Sequence, residues 1–269
     1  MDKKLIVANW KMLPQTLAEA EGILEFTNDY LESLSEKKEF SLVFCPPFVF
    51  IEEVAKILGA SHLEHEAFLG AQDIAIENGT LTGLVEGSRA KPGIAGEVSG
   101  PMLVKIGVRY VIIGHSDRRW RLGESDEIVN KKLKDVLRND MIPIVCIGEK
   151  ERDGNYKVFL EEQIKNTFEG LTTDEIGKCI VAYEPVWAIS SNPGARPDSP
   201  QSALESIRII DQALNSKFKI LNSKLLYLYG GSVNSKNISD FIKEKEIDGV
   251  LIGGASVNKQ EFVKILTNT

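Results

Sequence analysis

The feature that most constrains the fold is a series of short apolar runs, rich in β-branched and aromatic residues, that recurs along the whole chain. Such continuous apolar runs are typical of strands buried on both faces, as in a parallel sheet. The predicted strands are Leu5 to Ala8, Phe40 to Cys45, Ala67 to Ala71, Tyr110 to Gly114, Ile142 to Ile147, Cys179 to Tyr183, Leu225 to Tyr229 and Val250 to Ile252.

Amphipathic helical patterns separate these predicted strands. They cover Thr16 to Leu34, Val49 to Leu58, Met102 to Ile106, Glu127 to Leu137, Phe159 to Phe168, Ala203 to Leu214, Ile238 to Lys243 and Glu261 to Leu266. The alternation repeats about every 34 residues, and no linker divides the 269 residues. The pattern predicts one α/β domain over residues 1–269, a closed (β/α)8 barrel, although an open doubly wound sheet also fits the periodicity.

The composition is that of a compact soluble protein, with 43% hydrophobic and 26% charged residues. Its formal net charge of -7 argues against general nucleic-acid binding, which needs a basic face. No apolar run approaches the roughly 20 residues of a membrane-spanning helix. The first residues contain no long apolar segment with a cleavage site, so we expect a cytoplasmic protein without a secretory signal.

Cysteines and histidines offer few candidate ligands for a metal. Cys45, Cys146 and Cys179 each lie in an apolar run and are predicted to be reduced core residues. His62 and His65 stand among glutamates, which is compatible with a metal site, but we interpret them as part of a polar connecting segment.

Polar residues follow the first and fourth predicted strands, where a (β/α)8 barrel carries its function. Asn9 and Lys11 place an amide and a cation after the first strand, although many lysines at such positions are only solvated surface charges. His115 follows the fourth strand and precedes a helix. The positive end of that helix favours a neutral imidazole that donates a hydrogen bond.

One carboxylate, Glu184, follows the sixth predicted strand and precedes an apolar loop. Apolar surroundings make a carboxylate a stronger base, so Glu184 is the candidate for proton abstraction. A structural ion pair with a neighbouring Arg or Lys is the alternative interpretation.

Paired glycines follow the last two predicted strands, at Gly230 to Gly231 and Gly253 to Gly254. Without side chains, such positions let backbone N–H groups approach an anion, and barrels commonly bind phosphate with these two loops. Tight turns also use glycine for geometry alone, so the indication comes from finding two pairs at consecutive strand ends.

Five ordered motifs resemble those of the triosephosphate isomerase family. They are Asn9 to Lys11, Gly114 to Arg119, Tyr183 to Ile189, Tyr229 to Val233 and Gly253 to Ser256. The segments Gly70 to Asp73, Gly123 to Glu127 and Cys146 to Glu149 also occur in the family's order. The resemblance extends from about residue 5 to residue 266 and implies a TIM barrel.

The resemblance implies an isomerase that interconverts dihydroxyacetone phosphate and D-glyceraldehyde 3-phosphate through an enediolate. It further implies a place in glycolysis and gluconeogenesis and no metal or organic cofactor. Glu184 would then move the proton and His115 would donate to the enediolate oxygens, a pairing for which this family is itself the standard example. Lys11 would add positive charge beside the same oxygens, and Asn9 a further donor.

The same resemblance places phosphate binding at Ser190, Ser232, Gly253 and Gly254, mainly through backbone N–H groups. It implies that the segment from Pro185 to Pro200 is a lid that closes over the substrate and excludes water. Trp187 would then be a hinge residue of this lid, or a packing aromatic, two roles that are compatible.

Two departures from the family pattern fall on the site. Asp117 stands where the family has a glutamate that supports Lys11, so the charge is kept but the reach is shorter, and we expect lower activity. In the lid, Ser190 replaces a glycine and Pro193 stiffens the tip, so we expect altered lid kinetics because positive-φ freedom is lost.

A third departure is the enlarged loop over about residues 74–98, after the third predicted strand. It contains two partial copies of the family's dimerisation motif, at Gly79 to Leu84 and Gly93 to Val98, and about a dozen extra residues. The resemblance implies a homodimer through this loop and leaves open which copy forms its tip.

Two other functions fit the same motifs. An isomerase of a four-carbon ketose phosphate in the same lineage would use the same base and histidine. A catalytically weakened phosphate-binding protein would keep the phosphate loops, although retention of Asn9, Lys11, His115 and Glu184 together argues against it.

Overall fold

Eight parallel strands close into a barrel in sequence order, with β8 pairing with β1. The computed structural model describes residues 3–34, 40–60, 67–76, 94–220 and 225–269. The strands are β1 (Lys4–Asn9), β2 (Phe40–Cys45), β3 (Ala67–Ala71), β4 (Tyr110–Ile113), β5 (Ile142–Ile147), β6 (Ile180–Tyr183), β7 (Leu226–Tyr229) and β8 (Gly249–Ile252). The predicted (β/α)8 barrel is confirmed, and the open-sheet alternative is wrong.

Helices lie between the strands in the described residues. They are α1 (Leu17–Ser33), α2 (Ile51–Ala60), α3 (Gly100–Ile106), α4 (Ser116–Arg121), α5 (Asp126–Arg138), α6 (Tyr156–Thr167), α7 (Thr173–Ile176), α8 (Pro200–Phe218), α9 (Ile238–Ile242) and α10 (Lys259–Thr267). None of the helices in these ranges has the length and apolar character needed to cross a membrane.

Helix limits differ most from the prediction where a polar cap lies outside the apolar pattern. α8 extends three residues upstream and four downstream of the predicted helix, Ala203 to Leu214. Its start is fixed by the Ser199 hydroxyl, which accepts the N–H of Ser202 at 3.2 Å. The four-residue α7, begun by a capping box on Thr172, is too short for a periodic signal and was not predicted.

Buried apolar side chains form two layers, one inside the barrel and one between the barrel and the helices. Successive residues of a strand point to opposite faces. In β1, Leu5 and Val7 therefore belong to the inner layer, whereas Ile6 and Ala8 belong to the outer one. Both faces of the strands are covered, which explains why the strands are continuous apolar runs in the sequence.

All three cysteines are free and buried. Cys45 and Cys146 belong to the inner layer, and Cys179 belongs to the outer layer. Burial raises the pKa of each thiol above its usual value, so the neutral thiol is the stable form. Their predicted role as reduced core residues is confirmed.

A buried ion cluster connects the exit of β3 with α4 and α5. Lys132 Nζ lies 2.6 Å from carboxylate oxygens of both Asp73 and Glu124. Arg118 Nη2 lies 2.9 Å from Asp73 and 2.7 Å from Glu124. Burial raises the pKa of Asp73 despite both cations, whereas at Glu124 the cations outweigh burial and lower the pKa. Lys132 and Arg118 thus compensate the negative charges of both carboxylates.

Lys132→Met tests this compensation, because Asp73 and Glu124 must then share the single positive charge of Arg118. We expect the free energy of unfolding to fall by about 3–5 kcal/mol, measured by urea denaturation at pH 7. Lys131→Met, at the neighbouring half-buried position outside the cluster, is the control and should cost no more than about 0.5 kcal/mol. Equal losses in the two variants would contradict a structural role for the cluster.

Candidate active site

The carboxyl edge of the barrel gathers the predicted site residues. Asn9 is the last residue of β1, His115 follows β4 by two positions, and Glu184 comes directly after β6. Because all strands are parallel, these ends meet at one edge of the barrel. The structure brings His115 into contact with Glu184, and Lys11 into contact with Asp117.

His115 caps the N-terminus of α4 with its imidazole. The backbone N–H of Asp117 donates to His115 Nδ1 at 3.1 Å. An Nδ1 atom that accepts a hydrogen bond carries no proton, so the proton of the neutral ring is on Nε2. The Asp117 carboxylate is 3.6 Å from Nδ1, too far to compete as a hydrogen-bond partner. The predicted neutral, donating imidazole therefore has a local cause in the cap.

Glu184 is only 2% exposed and both of its carboxylate oxygens have donors. Its Oε1 lies 3.1 Å from His115 Nε2, and its Oε2 accepts the backbone N–H of Ser116 at 2.9 Å. Its predicted alternative role, an ion pair with Arg or Lys, does not occur among the described residues. The Nε2–H of the neutral histidine points at the carboxylate, which places an acid and a base side by side.

Glycines on neighbouring strands make room for Glu184. A Cβ at Gly148 would overlap the Glu184 carbonyl, and one at Gly230 would lie 2.8 Å from Glu184 Cγ. Cys146 lies on the same side, and burial followed by the charge of Glu184 raises the pKa of its thiol well above the usual value. Glu184 is therefore closely packed against the chain at Gly148 and Gly230, and this packing restricts movement of its main chain.

Lys11 has φ of +55°, in the left-handed region that non-glycine residues seldom adopt. Its backbone N–H donates to Asn9 Oδ1 at 3.1 Å, and its carbonyl accepts Gln72 Nε2 at 2.8 Å. The same Gln72 nitrogen also donates to the Cys45 carbonyl at 2.9 Å. These hydrogen bonds compensate the backbone strain and fix the direction in which the lysine side chain leaves the chain.

Despite its shorter side chain, Asp117 contacts Lys11, with its Oδ2 3.0 Å from Lys11 Nζ. Asp117 is in the first turn of α4, and the cap on His115 brings its backbone close enough for the shorter side chain. Partial burial opposes ionisation of Asp117, but the hydrogen bond and charge of Lys11 outweigh it and lower its pKa. The expected loss of activity stays a prediction.

The predicted phosphate residues contact one another and the lysine. Ser190 N–H donates to Ser232 Oγ at 2.7 Å, and that hydroxyl donates to the Ala188 carbonyl at 2.8 Å. A Cβ at Gly253 would lie 3.4 Å from Lys11 Cε, which is van der Waals distance, so this loop passes beside the lysine stem. Gly254 begins a 3-10 helix, whose first N–H groups have no partner within that helix.

The segment 185–200 is tied to the barrel at its beginning. Trp187 Nε1 donates to Glu149 Oε1 at 2.8 Å, and Asn192 Nδ2 donates to the Val186 carbonyl at 2.9 Å. Although Ser190 replaces a glycine, Gly194 has φ of +76° and supplies a positive-φ position near the tip. The left-handed freedom expected to be lost is therefore present four residues further on.

Sequence reasoning missed three residues that position the site. Gln72 anchors the strained Lys11, Glu149 holds Trp187, and Ser116 offers its N–H to Glu184. Gln72 and Glu149 lie within motifs that mark the resemblance, and this is the signal that could have found them. The contact of Ser116 could not be predicted, because it is made by the backbone N–H, which nearly every residue type has.

Several predictions fall outside the described residues. These include His62 and His65 and, in the enlarged loop, the motif copy from Gly79 to Leu84. Of the second copy, residues 94–98 are described, and the Val98 carbonyl accepts the N–H of Ala75 at 2.9 Å. The interpretation of the histidines and the identity of the loop tip stay predictions.

A hydrogen-bond donor beside a buried carboxylate at the carboxyl edge of a (β/α)8 barrel is an arrangement suited to proton-transfer enzymes. A sequence model of the family described as triosephosphate isomerase matches residues 4–269. Triosephosphate isomerase from Dictyoglomus thermophilum is 37% identical over 270 residues, which cover 99% of each chain. The enzyme from Aquifex aeolicus is 37% identical over 268 residues, 98% of each chain.

The chain belongs to the triosephosphate isomerase family. Its reaction is the aldose–ketose interconversion of dihydroxyacetone phosphate and D-glyceraldehyde 3-phosphate, a step of glycolysis. The relatives named above support the three-carbon substrate over the four-carbon alternative and over a binding protein without activity.

The Lys11–Asp117 pair predicts a pH dependence of stability. Because the folded-state pKa of Asp117 is below the unfolded value of about 3.9, the stabilisation by this pair is complete above that pH. It is lost as the pH falls through the lower, folded-state pKa. The difference in unfolding free energy between the parent and Asp117→Asn should therefore stay constant from pH 6 to about pH 4 and shrink at lower pH, as measured by urea denaturation.

Asp29→Asn is the matched control for this measurement. Asp29 is an exposed α1 carboxylate with no ion-pair partner in the described ranges, so its substitution should give a difference that changes little with pH. A pH-independent difference for Asp117→Asn would argue against the proposed charge pairing.

Proposed function

We propose that Glu184 is the base that carries the proton between the two carbons of the triose, and that His115 is the acid for its oxygens. The observation that carries this proposal is the Asp117 N–H bond to His115 Nδ1, which leaves the Nε2 proton facing Glu184 at 3.1 Å. A substrate carbonyl beside this pair would receive a hydrogen bond while the adjacent carbon loses its proton. The product of that step is an enediolate.

Glu184 must exchange partners to act as a base. Its Oε1 and Oε2 are both engaged, by His115 and by the Ser116 N–H. An oxygen that accepts a hydrogen bond is less able to take a proton, so substrate binding would release at least one of these contacts. The proposal therefore includes a shift of the carboxylate towards the substrate carbon.

Lys11 and Asn9 are proposed to stabilise the oxygens of the enediolate. Asn9 is 4% exposed and uses its Oδ1 to accept the Lys11 N–H, so its Nδ2 is the end left to donate. Asp117 holds the Lys11 ammonium from one side at 3.0 Å and thereby orients it. A preoriented cation and amide stabilise developing negative charge at low reorganisation cost.

Phosphate binding is proposed at Ser190, Ser232, Gly253 and Gly254. Ser190 N–H at present donates to the Ser232 hydroxyl, so a phosphate oxygen would take over this N–H. Gly253 lies beside the Lys11 stem and Gly254 follows it in the chain, which supports a phosphate position next to the reacting carbons. The segment 185–200 would then close over the substrate and exclude water from the enediolate.

Glu184→Gln tests the assigned base with a nearly isosteric change. We expect turnover of D-glyceraldehyde 3-phosphate, followed through a dehydrogenase that reduces dihydroxyacetone phosphate, to fall by about 10²–10⁴-fold. Binding of glycerol 3-phosphate, an analogue that cannot isomerise, should stay within a few-fold, because the amide leaves the phosphate loops intact.

Glu162→Gln, an exposed position on α6, is the control and should keep full turnover. Unchanged turnover in Glu184→Gln would remove Glu184 as the base. Loss of glycerol 3-phosphate binding together with turnover would mean that the substitution disturbs the site as a whole.

We infer that the protein acts as a homodimer through the face that includes the enlarged loop. Large apolar side chains are exposed after three neighbouring strands, with Met12 at 89%, Val49 at 80% and Ile94 at 44%. They follow β1, β2 and β3, which are adjacent in the barrel, so they share one side of its carboxyl edge. Several large apolar side chains exposed on one side of a protein are typical of an interface.

A charge placed in this face should break the dimer. The parent is expected to run at twice the mass of one chain in light scattering, and Val49→Glu at the mass of a single chain at micromolar concentration. Val158→Glu introduces the same charge at another exposed valine, 56% exposed on α6, and should stay dimeric. A monomeric parent would overturn the inference.

Cytoplasmic residence is part of the same proposal. Support comes from the family's role in glycolysis and from three free, buried cysteines, which suit a reducing compartment.

A further inference from the structure

A cavity of about 610 Å³ lies beside the lid and apart from the proposed catalytic residues, none of which lines it. The lid supplies Trp187, Pro193 and Arg196 to one wall, and Trp120 and Lys150 belong to the opposite wall. We call this space the lid-side cavity. Its volume is within the range of small-molecule binding sites.

The cavity offers aromatic surface to a ligand. Trp120, at the end of α4, is 43% exposed, although its ring also stacks on Phe159 with 6.2 Å between centroids. Trp187 lines the cavity from the lid and its indole N–H is already bonded to Glu149. Exposed indole faces bind planar rings by stacking, so the walls favour a ligand that contains such a ring.

Two cations lie over these rings. Lys150 Nζ is 5.7 Å from the Trp120 centroid, and the Arg196 guanidinium is 5.0 Å from the Trp187 centroid. In the part of the chain that the structure describes, neither cation lies within ion-pair distance of a carboxylate. Each interacts only with a π-face, which is weaker than a charge pair, so both are available to an anion.

The remaining charged residues limit the charge of that anion. Arg152 also lines the cavity, but its guanidinium is engaged by Glu149 at 3.3 Å and by Glu205 at 3.1 Å. Glu151 and Asp153 contribute carboxylates to the lining. Two available cations beside two carboxylates suit an anion of low charge and disfavour a triphosphate.

We propose that the lid-side cavity binds a planar aromatic anion of the nucleoside monophosphate class, with its ring against the tryptophans and its anionic group on Lys150 and Arg196. A nucleoside monophosphate carries both required parts in one molecule. Its base can stack on an indole ring without specific hydrogen bonds, because every base has a π-face. Its phosphate pairs with the cations.

Such a ligand would contact the lid and the opposite wall at the same time. It therefore binds the present lid position better than one in which Trp187 and Arg196 have moved away, and it shifts the equilibrium towards the present position. Resting on the proposed lid function, the expected effect is a higher KM for the triose phosphate, because substrate closes the lid and the ligand holds it in its present position.

The test is a titration of adenosine 5′-monophosphate, followed by tryptophan fluorescence in the absence of glycerol 3-phosphate. Two of the three tryptophans, Trp120 and Trp187, line the cavity, and the third, Trp10, is 1% exposed in the core. We expect saturable quenching in the parent. Trp120→Phe should remove a large part of the signal.

Variants separate the proposed site from unspecific binding. The double variant Lys150→Ala, Arg196→Ala should weaken the affinity by about tenfold or more, because both charge-assisted contacts are lost. Lys178→Ala, Lys264→Ala removes two exposed charges outside the cavity and should leave the affinity unchanged. Absence of saturable quenching, equal affinity in the cavity double variant, or equal affinity for adenosine without phosphate would each overturn the proposal.

Kinetics distinguish this site from the catalytic one. Adenosine 5′-monophosphate should raise the KM of the parent, and Lys150→Ala should lose most of this inhibition because the cavity cation is removed. Equal inhibition of Lys150→Ala and the parent would indicate binding in the catalytic site and overturn the proposal. Because the fluorescence titration does not depend on turnover, a failure of the proposed isomerase mechanism would be seen separately, in the assay of Glu184→Gln.

Discussion

The hydrogen bond from the Asp117 N–H to His115 Nδ1 is the contact on which the chemistry of the site depends. It belongs to the cap of α4, so the same turn that starts the helix also decides which ring nitrogen carries the proton. The Nε2–H then faces Glu184, whose other oxygen is held by Ser116 in the same turn. Residues 115–117 therefore determine where α4 begins, which nitrogen of His115 carries the proton and where the Glu184 carboxylate lies.

The cation of the site depends on a second local constraint, the left-handed backbone of Lys11. Strain of this kind persists only where surrounding contacts compensate it. Gln72 does so from the end of β3 and bonds to two carbonyls, one of them on Lys11. Asp117 contacts the other end of the lysine, so the position of the proposed catalytic cation depends on three strand ends that are far apart in sequence.

The sequence alone predicts the barrel and the meeting of His115 and Glu184 at one edge, because strand periodicity and parallel topology determine where strand ends lie. It does not predict the distances between side chains. The shorter side chain of Asp117 still reaches Lys11, since the reach depends on how the α4 cap positions the backbone. Roles that rest on main-chain donors or on missing side chains, as at Ser116 and Gly148, cannot be seen in residue types without coordinates.

The lid and the base are mechanically linked through Glu149. Its carbonyl accepts the Val186 N–H at 3.0 Å, and its Oε1 accepts Trp187 Nε1 and the Tyr183 hydroxyl. Tyr183 precedes Glu184 and Val186 lies two residues after it, so one buried residue contacts the Tyr183 side chain before the proposed base and the Val186 main chain after it. In the proposed lid movement, Trp187 leaves Glu149 while the Tyr183 hydroxyl on β6 keeps its contact. The proposed exchange of partners by the Glu184 carboxylate therefore requires no displacement of β6.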